Sequence, residues 1–147
     1  MILLDTDILT LVLQDESPDG LRVRARVAQL PRDELVATTV INFEELATGW
    51  FGAISRARRP PLDREREIEI YARLVKLVDK FKKLRVVTYD VVAADRFDEL
   101  RSQRIRVGTN DLRIAAITLS LNATLITRNH SDFARIPNLR IEDWTRS

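Results

Sequence analysis

The 147-residue chain contains no cysteine. That excludes disulfides, thiolate zinc sites and a cysteine nucleophile, and it suits a reducing compartment. Only four glycines occur, Gly20, Gly49, Gly52 and Gly108. They are scattered, so no glycine-rich loop is available to cradle a phosphate, and the GxSxG nucleophile elbow is absent too. The single histidine, His130, stands beside Asn129 in a polar stretch and reads as a surface residue. No apolar run reaches 18 residues, so no membrane-spanning helix is expected. The opening MILLDTD has no basic n-region, long apolar core or small-residue cleavage site, so a signal peptide is not expected either. A cytoplasmic domain away from membranes is the resulting expectation.

What the chain does contain is enough apolar material for a core. Apolar residues make up 45%, and the length fits a single domain over 1–147. The net charge is only +2, but it is unevenly spread. Residues 1–54 hold nine acids against four bases, whereas residues 55–113 hold sixteen bases against ten acids. Twenty of the 24 basic residues are arginine, whose planar fork matches phosphate oxygens. An arginine-rich middle suits a nucleic acid, although solvated helix faces would give the same count.

Periodicity gives alternating strands and helices. Residues 1–6 read as a buried strand, 14–20 as a loop and 21–30 as a short helix stopped by Pro31. ELVATTV (34–40) reads as a β-branched strand, 41–54 as a helix and 54–63 as a basic loop around two prolines. In 64–84, Ile68, Tyr71, Val75, Val78 and Phe81 fall at three- and four-residue steps, a helical stripe suited to core or to a dimer surface. RVVTY (85–89) is a strand, and Asp90 can cap a helix to about Arg104. Asp111 opens a further helix with Ile114, Ala115, Ile117, Thr118 and Leu121 able to face inward. ATLITR (123–128) is a fully buried type of strand, and LRIEDW (139–144) a last one. This order predicts an α/β fold, an α/β/α sandwich on a mainly parallel sheet. Ligands of such sheets gather beyond the carboxyl ends of the strands.

Four acids stand at such ends or in first helical turns: Asp5, Glu45, Asp111 and Asp132. Each also has a plain structural role open to it. Asp5 can cap a turn or helix, and Glu45 can close a capping box with Asn42 as the N-cap. Asp111 complements a helix dipole, and Asp132 fits an Asx turn. Taken together they weigh differently, because gathered carboxylates repel unless a cation lies between them. An oxygen-only donor set without organised His or Cys favours Mg²⁺ or Mn²⁺ over zinc. Such a site is suited to attack on a phosphodiester.

The segments MILLDTDIL, TTVINFEELATGW, GTNDLRIAAITLSLNATLITRNHSDF and RIPNLRIEDW resemble, in order and spacing, the PIN-domain ribonucleases of the VapC toxin type. The resemblance spans nearly the whole chain, and its third segment is the most specific part. It implies a parallel-sheet α/β/α fold, an acidic pocket for Mg²⁺ or Mn²⁺, and metal-dependent endonucleolytic cleavage of RNA. It also implies a cognate antitoxin encoded beside the toxin, and a homodimer. By the same resemblance the family's acids fall on Asp5, on Glu45 rather than Glu44, and on Asp111. The last acid falls on Asp132, since Asn129 occupies the alternative place; Thr127 and Asn129 become supporting groups. Asp7 stands where the family commonly has Asn, and is either an outer carboxylate or a cap, with Thr6 holding the turn. Charge alone, not the family, nominates Arg56, Arg58, Arg59 and Arg113 as contacts to an RNA backbone.

Two other readings compete. The string DTDIL also resembles the D-x-D opening of haloacid-dehalogenase phosphatases, but that chemistry needs a later lysine and a closing acidic pair. All four lysines lie within 76–83, and ATLITRNHSDF has no adjacent acids. A PIN domain with a degenerate site, acting as an RNA-binding or scaffold module, is the other.

Overall fold

Short apolar strands with both faces covered are what a buried parallel sheet requires, and the chain builds three of them, flanked by two more-exposed edge strands. A computed structural model describes residues 1–14, 16–61 and 63–146. The elements run β1 (Ile2–Leu4), α1 (Thr6–Gln14), α2 (Pro18–Ala28), β2 (Val36–Thr39), α3 (Val40–Ala57), α4 (Arg64–Phe81) and β3 (Arg85–Val87). They continue as α5 (Val91–Ser102), α6 (Thr109–Ser120), β4 (Thr124–Ile126), α7 (His130–Phe133) and β5 (Arg140–Glu142). The strands pair in the order β3-β2-β1-β4-β5, and every pairing is parallel. The α/β/α expectation therefore holds.

β1 is the central strand and sorts its side chains by alternation. Leu3 joins Ala37, Leu125 and the buried faces of α5 and α6 in one core. Ile2 and Leu4 join Ile126, the apolar faces of α1 and α2, Leu77 and Trp144 in the other. The chain first builds outward from β1 through β2 to β3, then returns to the far side of β1 with β4. The order thus reverses between β1 and β4, where Leu4 pairs with Ile126, and a crevice opens beyond their carboxyl ends.

Several local expectations are corrected. Residues 7–13, unassigned from sequence, are helical, because α1 starts directly at the end of β1. The 14–20 loop is shorter than expected: Ser17 accepts from the Gly20 N–H at 3.2 Å and Pro18 enters the first turn of α2, where a missing N–H is harmless. The basic loop starts later, since α3 continues to Ala57 with Ile54 and Ala57 buried. Asp15 and Leu62, within those two loop readings, lie outside the described residues. α6 begins at Thr109, two residues before Asp111.

Of the stripe read on α4 only Phe81 packs against the core. Ile68, Tyr71, Val75 and Val78 are exposed, Ile68 and Val75 by 60% or more. The helix packs instead through a neighbouring stripe, Ile70, Leu74, Leu77 and Phe81, of which Leu77 is buried. Leu125→Ala is accordingly expected to lower unfolding free energy by about 3 kcal/mol, a cavity in a fully buried strand. Val75→Ser should change it by less than about 0.5 kcal/mol. Urea denaturation of both variants checks the assignment.

Candidate functional site

Four carboxylates stand around the β1/β4 crevice, with Asp111 close enough to feel the charges of Asp5, Glu45 and Asp132. Asp5 follows β1 directly, and its backbone N–H donates to the Ile126 carbonyl at 3.0 Å, continuing the sheet. Its carbonyl accepts from the Leu9 N–H at 2.8 Å, so the residue also heads α1. The carboxylate is only 7% exposed and carries three donors. Oδ1 accepts from the Thr6 N–H at 2.8 Å and from Asn42 Nδ2 at 3.1 Å, and Oδ2 accepts from the Thr127 hydroxyl at 2.7 Å. Burial nonetheless dominates. It overrides the Thr127 and Thr6 hydrogen bonds and, with the charges of Asp7 and Asp111, raises the Asp5 carboxyl from 3.8 to about 6.

Glu45 is half-buried on the inner side of α3, whereas Glu44 is exposed. Its carboxylate accepts from the Thr6 hydroxyl and, at 3.1 Å, from Asn110 Nδ2. The capping role open to it from sequence is not used. The N-cap of α3 is Thr39, and Asn42 is the third helical residue of the box. Asn42, fully buried, spends its carbonyl oxygen on Thr39 and its amide on Asp5 and Thr6. Moving the box by three residues leaves Glu45 facing the crevice.

Asp111 connects the set. It lies in the first turn of α6, and its carboxyl is raised by burial first and then by the charges of Glu45 and Asp132, against a backbone hydrogen bond from Gly108. Gly108 has a physical reason here: a Cβ at that position would stand 3.0 Å from Asp111 Oδ2. Asp132 is held by Asn129, whose Nδ2 donates to Oδ2 at 3.1 Å, and the Asn129 N–H donates to Thr127 Oγ1 at 3.0 Å. Thr127 and Asn129 are thus both supports, one for Asp5 and one for Asp132.

The remaining nominated residues divide. Asp7 stands at the rim, ion-paired with Arg128 at 2.8 Å. Arg113 donates to Asn110 Oδ1 at 3.0 Å and lies over the Phe97 ring at 5.4 Å, one link from Glu45. Arg56, Arg58 and Arg59 are not brought to the crevice. Arg56 is eleven residues along α3 from Glu45, about 17 Å of helix. Arg58 bonds Glu67 at 3.1 Å and caps Tyr71, clipping α3 to α4. His130 is exposed, as expected. The residues that sequence reasoning missed are Asn42, Asn110 and Gly108. Asn42 was visible only as a misplaced cap, and Asn110 and Gly108 only as letters in the GTND stretch.

Among the described residues no group of three or more His, Cys, Asp or Glu side chains is arranged to hold a metal ion. The donor chemistry still fits an open hard-cation site: carboxylate oxygens only, mutually repelling, with Asp5 pushed toward a neutral form that a cation would relieve. Because the folded protein holds the Asp5 proton up to about pH 6, stability falls as pH rises from 4 to 6. Above pH 6 the ionised carboxylate opposes folding by about 3 kcal/mol. Asp5→Asn is therefore expected to be more stable than the parent in EDTA at pH 7.5, by about 1–3 kcal/mol. That advantage should vanish below pH 4, as paired thermal melts at the two pH values would read.

Comparison with known proteins places this geometry. Residues 2–139 match the PIN domain family. Ribonuclease VapC1 of Haemophilus influenzae strain R2866 is 33% identical over 145 residues, 98% of each chain. The structure of VapBC-1 from nontypeable Haemophilus influenzae has a TM-score of 0.72 at 30% identity, covering 99% of this chain and 100% of the other. A member of the VapBC family of toxin-antitoxin systems, VapBC-5 from Mycobacterium tuberculosis, has a TM-score of 0.57 at 26% identity, covering 96% and 94%. The D-x-D phosphatase reading falls with these matches and with the pairing of Asp7 to Arg128. No described helix is long and apolar enough to cross a membrane. On the family match and near full-length relatives, the chain belongs to the PIN domain family.

Proposed function

We propose that this chain, one PIN-like unit over 1–147, is a metal-dependent endoribonuclease and the toxin of a toxin–antitoxin pair acting in the cytoplasm. The observation that carries it is the grouping of Asp5, Glu45, Asp111 and Asp132 around the β1/β4 switch point, with Asp5 and Asp111 both raised. The relatives supply the RNA substrate class, since the near full-length one is named a ribonuclease.

Asp5, Glu45 and Asp111 would hold Mg²⁺, or Mn²⁺, with Asp132 completing the pocket. When bound, the cation supplies charge neutralisation and Lewis acidity at a scissile phosphodiester. The protein's own residues fix the oxygens. Thr127, Asn42 and the Thr6 N–H lock the Asp5 carboxylate in one orientation. Thr6 and Asn110 hold Glu45, and Asn129 holds Asp132. Gly108 leaves Asp111 the room it occupies. Asp7 keeps the Arg128 guanidinium at the lip, and Arg113 stands behind Asn110. The exposed Arg128 would contact an RNA backbone, and the half-buried Arg113 is assigned the same role on charge alone.

The partner protein has a surface suited to it. Phe43, Phe51, Leu77, Val78 and Phe81 line an apolar cavity of about 340 Å³ between α3 and α4. Phe51 is 65% exposed and Phe43 45%. A cognate antitoxin covering this face would bury it; the partner class follows from the solved relative VapBC-5, a member of a family of toxin-antitoxin systems. A homodimer is part of the same proposal and is read by sedimentation of the purified chain.

The test is cleavage of RNA by purified protein with Mg²⁺, with Mn²⁺ and with EDTA. The parent should cut only with metal, and Asp5→Asn and Asp111→Asn should lose at least about 100-fold in rate, a few kcal/mol of barrier. A folded parent that neither cuts RNA nor binds Mn²⁺ would make the degenerate, RNA-binding or scaffold reading the correct one.

A further inference from the structure

A second feature adjoins the acidic crevice and is not used by the chemistry above. α3 and α4 form a hairpin with two unlike sides, because residues two apart on a helix face opposite ways. One side is the apolar cavity at Phe43 and Phe51. On the other, toward α1, a cavity of about 410 Å³ is lined by Glu45, Trp50, Arg66 and Arg73, with Gly49 leaving its floor open. A second cavity of about 330 Å³ shares Trp50 and Arg73 and continues to Lys76 and Lys80. Each is within the size range of built ligand sites.

Together they make a continuous path that begins at Glu45 and leads away along α4. Its walls carry four cations against one acid other than Glu45, namely Glu69. Glu69 pairs with Arg73, but both side chains are about 60% exposed, so the pair is weak and a phosphate can displace it. The half-buried Trp50 indole is the shared wall of both cavities and lines the apolar cavity as well, so it stands between the two sides of the hairpin. A cationic track with an aromatic platform is the arrangement that holds single-stranded nucleic acid without reading its sequence, phosphates on the cations and a base stacked on the ring. The track also answers an electrostatic need. An acidic crevice repels a polyanion, so the strand must be held by cations beside it.

We propose that the α1/α3/α4 groove, from Glu45 past Trp50 and Arg73 to Lys76 and Lys80, is the binding track for single-stranded RNA flanking the scissile phosphate. A base stacks on Trp50 and phosphates lie on Arg66 and Arg73. This deepens the ribonuclease reading and rests on it. It also moves the RNA contacts from the arginines at 56–59, at the far end of α3, to the inner side of α4.

The test is fluorescence anisotropy with a labelled 20-nucleotide single-stranded RNA in EDTA, on the full chain, over a salt series. The Arg66→Glu/Arg73→Glu double variant should bind at least about tenfold more weakly. Its slope of log affinity against log salt should fall by about 1.4, two phosphates at about 0.7 each. Trp50→Leu should weaken binding about tenfold, and Trp50→Phe should restore most of it. Arg101→Glu, an exposed change on α5 across the sheet, should bind like the parent. With Mg²⁺ or Mn²⁺ the groove variants should raise KM and keep kcat, whereas Asp5→Asn should lose cleavage and keep binding. Groove variants that bind like a parent that cuts RNA overturn this proposal and leave the nuclease reading standing. A parent that binds through the groove but cuts with neither metal overturns the nuclease reading alone. Variants that keep RNA binding but lose the antitoxin make the groove a protein site and overturn the proposal, as does a parent that binds no single-stranded RNA.

Discussion

Burying the Asp5 carboxylate is the constraint around which the site is arranged. A carboxylate that is 7% exposed, with two other acids near it, opposes its own ionisation despite three good donors. The donors are not incidental. Thr127 comes from the strand on one side of β1, and Asn42 from the helix that follows the strand on the other. Parallel pairing on both sides of β1 brings them to the same height. Replacing β1 with an edge strand would remove one of the two supports and expose the acid. The central position of β1 is therefore a condition of the chemistry as well as of the packing.

The remaining acids are placed by helix starts, where backbone N–H groups point outward and favour negative charge. Asp111 stands in the first turn of α6, and Asp132 in the first turn of α7. Glu45 is different, since it lies a turn and a half inside α3 and depends on side chains for its orientation. A single hydrogen-bonded relay runs from Asp5 through Asn42, Thr6 and Glu45 to Asn110 and Arg113. Two members of that relay, Thr6 and Asn42, are also first-turn residues of their helices. The groups that start the helices thus set the geometry of the acids.

The parts of this arrangement that were legible in the sequence are those with local signals. The strands at 1–6, 34–40 and 123–128 were recognisable from apolar and β-branched runs, and Asp5, Asp111 and Asp132 stand where the sequence put them, after a strand or in a first turn, whereas Glu45 lies deeper in its helix than its sequence context indicated. The rest depended on competition between near-equal local patterns. Thr39 and Asn42 are both good caps three residues apart, and only the end of β2 decides for Thr39. On α4 two apolar stripes share Phe81, Ile68-Tyr71-Val75-Val78-Phe81 and Ile70-Leu74-Leu77-Phe81. The periodicity of either is helical, and only the packing of Leu77 against α1 and α3 selects the second. Arg58 looked like a free cation in a loop because Glu67 and Tyr71 are nine and thirteen residues away. Charge counts carry no information about such pairings.

α3 is where these strands of the structure join. In one helix of 18 residues it carries the Thr39 box, the Asn42 support, the Glu45 carboxylate, the Trp50 wall and the Arg58 clip. Its two long sides differ in chemistry, apolar at Phe43 and Phe51 and polar at Glu45 and Gly49, because its sequence alternates the two across a period of 3.6. A protein partner that covers the first side and a polyanion that lies along the second therefore press on the same rigid rod. Leu77 inserts into the core beneath it, and Lys80 bonds the Leu13 carbonyl at the end of α1, so the hairpin is tied down at several points. Glu45 sits on that rod about two turns from Phe51, while Asp5 is fixed in the sheet. The acid on the helix and the acid at the sheet are therefore held by different elements, and the hydrogen bonds of Thr6 and Asn42 are what tie the two together.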